Sequence, residues 1–93
     1  MEESQKVIIS VIGRDQVGII AGISAILAES NINILDISQT ILQGFFTMVM
    51  VVDSAGSTID IAELRDILKT KGEQMHLEIN VQHEDIFKFM HRI

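Results

Sequence analysis

The sequence predicts an α+β domain of strand-helix-strand-strand-helix-strand order, closed by a short terminal helix, and three observations predict it. Apolar residues recur with strand periodicity in four stretches and with helix periodicity in two, in that order along the chain. Gln43-Gly44 separates the two middle strand stretches by a tight turn, so they pair antiparallel. The remaining strands are each reached through a helix, and right-handed crossovers then place both helices on one face of a four-stranded antiparallel sheet.

Residues 1–6 are a short polar lead-in. Lys6 to Ile12 is rich in β-branched residues, with Val7, Ile9 and Val11 on one parity and Ile8 and Ile12 on the other. A strand apolar on both faces belongs in the middle of a sheet. The first helix is expected from about Gln16 or Val17 to Ser30, because Ile19, Ile20, Ile23, Ile26 and Leu27 fall within one arc of about 120° at 100° per residue. Gly18, Ala21, Gly22, Ser24, Ala25 and Ala28 fill the rest, leaving one side almost without bulk. Glycine inside a helix costs about 1 kcal/mol relative to alanine, so Gly18 and Gly22 invite an explanation, either close approach by a backbone or a ligand, foremost at Gly18, or neutral tolerated placement, which fits Gly22 as well.

Asn31 stops this helix, since asparagine tolerates positive φ. Ile32 to Leu42 is the second strand, with Leu35, Ile37 and Ile41 alternating against Asp36, Ser38 and Thr40, as expected at a half-exposed edge. Phe45 to Val52 is the third, and its Met48 and Met50 read as core residues or as part of a partner surface. Asp60 and Glu63 stand in the N-cap and N3 relationship that starts a helix, Ile61, Leu64, Ile67 and Leu68 form its apolar face, and Gly72 is the expected C-cap. Met75, Leu77, Ile79 and Val81 alternate with His76, Glu78 and Asn80 in a fourth strand with one wet face. The tail from Glu84 to Ile93 has a helical pattern too apolar to hang free in water, so it should dock on its own domain or on a partner. The whole is one ferredoxin-like sandwich over residues 1–93, with a core at about 6–83 and a terminal helix at about 84–93.

Ninety-three residues make one small core, and without cysteine no disulfide reinforces it, which makes association with a second chain an early expectation. The formal charge of −6 and the scattering of the seven basic residues argue against a nucleic-acid surface. No apolar run approaches the roughly 18 residues of a membrane span, and the acidic, polar N-terminus is unlike a signal peptide. A cytoplasmic protein follows as the expectation.

The chemistry concentrates in the loop Gly13-Arg14-Asp15-Gln16-Val17-Gly18. First-turn N–H groups lack intrahelical partners and carry the positive end of the helix dipole, so an anionic group such as a carboxylate is stabilised there. Asp15 can receive an ammonium group, and Asn33 offers a donor and an acceptor, a combination suited to a zwitterion. Read alone, however, Asp15 fits an ordinary N-cap and Asn33 an ordinary local backbone contact.

Gly13-Arg14-Asp15-Gln16-Val17-Gly18-Ile19-Ile20, followed by Asn31-Ile32-Asn33-Ile34, resembles the signature of ACT domains, the small regulatory modules that bind amino acids in metabolic enzymes. The resemblance covers nearly the whole chain and is strongest to single-ACT proteins similar to one half of the glycine cleavage system transcriptional repressor. It implies a homodimer with ligand sites at the interface, built from the first strand-helix loop of one chain and the second strand of its neighbour. Asp15, Gln16, Val17 and Gly18, with Ile19, Asn33 and Ile34, are then the ligand-binding residues, and no cofactor or metal is implied. Gly13 departs from members that carry a polar or imidazole side chain there.

Other classes fit less well. Acylphosphatases share the fold and have a glycine-rich loop after the first strand, but their arginine follows that loop, where this chain has Ile20, Ala21 and Gly22. There is no cysteine, and no serine stands in an obvious arrangement with a histidine and an acid, so the chain is read as a non-enzyme. His76, His83 and His91 match no compact metal-ligand spacing. RNA binding needs exposed sheet aromatics, and only Phe45 and Phe46 lie in that region. The serious alternative is a protein-interaction module without a small ligand, using the second strand and the terminal helix.

Overall fold

Six elements follow one another as β1 (Lys6–Arg14), α1 (Ile19–Glu29), β2 (Asn33–Leu42), β3 (Phe45–Asp53), α2 (Ile61–Met75) and β4 (Leu77–His83). The computed structural model describes residues 5–84. Apart from Glu84, the helix expected over 84–93 lies outside them. The strands form one antiparallel sheet in the order β2-β3-β1-β4. This is the ferredoxin-like topology that the order of the elements predicts.

β1 is central, as its two apolar faces require. Val7, Ile9 and Val11 are fully buried on the face that meets the helices, and Ile8 is buried on the opposite face. Their cross-strand partners Val52, Met50 and Met48 join the same core beneath Ile19, Ile23 and Leu27 of α1 and Leu64 and Leu68 of α2. Met48 and Met50 are thus core residues, both inaccessible to solvent.

Four expectations are corrected. α1 begins at Ile19, not Gln16 or Val17, because Gly18 stands at the N-cap with φ +95°, a left-handed conformation that cannot continue a helix. α2 does not stop at Gly72 but runs on to Met75, and His76 takes the left-handed position (φ +59°) that ends it. Gly72 serves packing instead: a Cβ there would lie 2.7 Å from the backbone oxygen of Leu77. Met75 therefore belongs to the helix, and β4 starts at Leu77. Finally, β2 does not alternate evenly, since a bulge at Leu35 lets Ile34 pair with Val52 while Asp36 pairs with Val51.

Other local signals act as expected. Asn31 has φ +60°, the Ile32 N–H donates to the Leu27 carbonyl (2.9 Å) and the Asn31 N–H to that of Ala28 (3.1 Å), the paired bonds of a Schellman stop. The Asn31 amide also donates to the Gly56 carbonyl at 2.8 Å, anchoring this end of α1 to the loop after β3. β2 is an edge strand, and every residue from Leu35 to Leu42 is exposed.

Candidate functional site

The loop 15–18 is held from two sides by bonds that leave its inner surface open. The Asp15 N–H donates to the Gly44 carbonyl (2.9 Å) and ties the loop to the β2–β3 turn. The Gln16 side-chain amide donates to the Met75 carbonyl (2.8 Å) and the Arg14 carbonyl (3.3 Å), tying the loop to the end of α2. Part of Gln16's hydrogen-bonding capacity is therefore occupied in positioning the loop. Val17 is 99% exposed.

Gly18 then turns the chain into α1. Among the described residues no side chain caps the helix. Asp15, the natural candidate for that task, is exposed, and its carboxylate has no hydrogen-bond partner among the described residues. The first-turn N–H groups consequently have no side-chain acceptor and keep the positive end of the helix dipole exposed. A Cβ on Gly18 would meet nothing within 4 Å, so glycine is required here for its positive φ rather than for space.

Between this loop and β2 lies an open cleft of about 260 Å³, with Asp15, Gln16, Gly18 and Ile19 on one wall and Gln39, Ile41 and Phe46 on the other. The β2 wall was not legible in the loop motif. It arises from register: Ile41 pairs with Phe46, and Phe46 pairs with Gly13 of β1, so three strands converge beside the loop. Gly13 is explained by crowding from its other neighbour, β4, because a Cβ there would lie 2.5 Å from the Leu77 side chain and 3.2 Å from the His76 carbonyl oxygen.

Asn33 and Ile34 do not join this cleft within one chain. They sit past the opposite end of α1, whose 11 residues span about 16 Å. Asn33 lines a separate hollow of about 320 Å³ with Asn31, Asp53 and Gly56, while Ile34 packs against the core. Asp53, paired with Asn33 across the strands, accepts the N–H groups of Ala55 and Gln5 (both 3.0 Å). Those bonds, with Lys6 adding a smaller attraction, hold its carboxyl below its ordinary value of 3.8 despite a small opposing desolvation.

A larger groove of about 670 Å³ runs between α2 and β4, lined by Arg65, Lys69, Glu73 and residues 77–82. Its guanidinium is engaged already: Arg65 donates to the Val81 carbonyl at 2.9 and 3.3 Å and so shields the β4 edge. Among the described residues, no three His, Cys, Asp or Glu come together as metal ligands, and no helix is long and apolar enough to cross a membrane.

The class defined by these elements is a ferredoxin-like α+β module whose open cleft stands at a sheet edge. Its family is equally plain: the ACT domain model matches residues 5–82, and the chain belongs to the ACT domain family. A UPF0237 protein of Methanocaldococcus jannaschii is 54% identical over 88 residues, covering 95% of this chain and 98% of its own length. A UPF0237 protein of Clostridium perfringens is 56% identical over 86 residues, covering 92% and 97% respectively. Among solved structures, an ACT domain protein from Streptococcus pneumoniae superposes with a TM-score of 0.78 at 42% identity, over 92% of this chain and 97% of that one. A structure assigned to a glycine cleavage system transcriptional repressor shares the fold, with a TM-score of 0.76 at 23% identity over 88% of this chain and 47% of its own.

Proposed function

We propose that the protein is a cytoplasmic, non-catalytic sensor that binds a small amino acid or related carboxylate between two copies of the chain and so modulates a metabolic enzyme or regulator. The observation that carries this reading is the cleft formed by an uncapped helix N-terminus and an unpaired edge strand. The ligand's carboxylate lies at the first turn of α1, and its ammonium group at the free carboxylate of Asp15.

A second copy completes the site. Asn33 and Ile41 lie at opposite ends of β2. An antiparallel pairing of two β2 edges centred near Ile37 sets Asn33 of each copy opposite Ile41 of the other, beside its cleft. Exposed Leu35, Ile37 and Ile41 and the small exposed residues Ala21, Ala25 and Ala28 of α1 supply the apolar surface for that approach. Binding across the two chains couples occupancy to the dimer equilibrium, because a ligand favours the state to which it binds more tightly.

A thermal-shift screen of the purified protein against the proteinogenic amino acids tests the reading. Ligand at about 100 times its Kd should add roughly 2.7 kcal/mol, several degrees for a domain of this size. The shift should disappear in Asp15→Ala and in Asn33→Ala. A species that stays monomeric in light scattering at all practical concentrations refutes the two-copy site. Silence across the panel transfers the function to protein partners, for which exposed Leu42 and Phe45 on the β2–β3 hairpin extend the same surface.

A further inference from the structure

We infer that Gln39 determines which ligand the cleft accepts, and that this ligand is an amino acid whose side chain carries a hydrogen-bonding group. The inference rests on the amino-acid reading above and deepens it. On the helix-facing side of β2 the ladder places Ile34, Ile37, Gln39 and Ile41, opposite Val52, Met50, Met48 and Phe46. Gln39 is the one polar residue in those two rows, and it stands at the cleft.

Within one chain the cleft's other polar side chains have separate roles, and in the two-copy site the partner's Asn33 stands opposite Ile41 rather than Gln39. Gln16 donates its amide to the Met75 and Arg14 carbonyls, and Asp15 lies on the wall that carries the helix N-terminus. A zwitterion held by Asp15 and the first-turn N–H groups directs its side chain toward the β2 wall. There it meets Ile41 and Phe46, which suit an aliphatic stem, and the Gln39 carboxamide, which has no hydrogen-bond partner among the described residues and can both donate and accept. A seated ligand that lacks a hydrogen-bonding group covers that carboxamide without replacing its water, and such a mismatch is what lets a site reject a close isostere.

The test is titration calorimetry on the wild type and Gln39→Leu with pairs of near-isosteric amino acids, threonine against valine and asparagine against leucine. Leucine fits a row of isoleucines on an exposed strand, so the variant should fold, which an unchanged ligand-free melting midpoint checks. The wild type should prefer the polar member of at least one pair by about tenfold, the worth of one net hydrogen bond, and Gln39→Leu should reduce that preference to within about threefold. An unchanged preference in Gln39→Leu overturns the inference, even if its association state differs, as does a wild type that favours the apolar member of both pairs. Amino-acid binding insensitive to Gln39 leaves the sensor reading standing, whereas a wild type that binds no amino acid removes both.

Discussion

The two helices begin in opposite ways. Asp60 precedes α2 in extended backbone, and its carboxylate accepts the Glu63 N–H at 2.8 Å, with the Glu63 side chain adding favourable charge to the first turn. α1 begins at a left-handed glycine, has no acidic residue in its first turn and receives no side-chain cap, although Asp15 stands three residues earlier. A helix start completed by its own chain serves the fold, whereas one left incomplete beside a cleft is available to something else. The difference supports looking for a ligand at α1 rather than at α2.

The largest expected effect breaks the comparison at Gly18. Gly18→Ala should destabilise the protein by about 1–2 kcal/mol, because φ +95° is strained for any residue with a Cβ. The surrounding space is empty, so Gly18→Ser should cost about as much as Gly18→Ala, and Gly18→Asn should cost less because asparagine tolerates the left-handed region. Chemical denaturation measures all three, and a cost that climbs with side-chain size instead would show that sterics govern this position. The strain also makes Gly18 a poor probe of ligand binding, since stability and affinity change together.

Asp60→Ala comes next, with an expected loss of about 1 kcal/mol from the missing cap and no change in the ligand profile. Asp15→Ala should do the reverse. Its carboxylate has no partner to lose among the described residues, so its stability should stay within about 0.5 kcal/mol of wild type while amino-acid affinity falls. If Asp15→Ala proved as destabilising as Asp60→Ala, Asp15 would be serving the fold after all.

Asp53 supplies a pH-dependent control outside the cleft of its own chain. Its folded-state pKa lies below its ordinary value, so its ionised form stabilises the fold above about pH 4, and that contribution fades as pH falls through the lowered value. Asp53→Asn should therefore lose stability at neutral pH and show a shallower decline under acid, which denaturation at a series of pH values from 2 to 7 would reveal. An acid limb identical to that of wild type would mean that other carboxyls govern it.

Much of this fold is local and therefore legible. The Asp60 cap needs only its own neighbours, the Asn31 stop needs only the preceding helical turn, and the apolar run from Val7 marks a central strand, although on its second face only Ile8 is buried and Ile12 is 49% exposed. Gly72 misled because glycine is commonest just past a helix end, and only the nearness of Leu77 shows why it sits inside one. The loop half of the candidate site was readable as a contiguous motif. Its strand half, Gln39, Ile41 and Phe46, lies 21 or more residues beyond Gly18 and is brought there by ladder register.

The sequence by itself determined the order of the elements, the antiparallel hairpin, the core stripe of α1, that of α2 except for Ile67, which is 37% exposed, and the glycine-bearing turn into α1, because periodicity and turn chemistry act over a few neighbouring residues. Only the tertiary structure decided that the Leu35 bulge resets β2, that Gln16 ties the loop to the end of α2, that Gln39 and Asp15 line one cleft, and that Asn33 lies too far from that cleft to reach it within one chain. These are relations between residues distant in sequence, set by sheet register and helix length, and no local pattern encodes them.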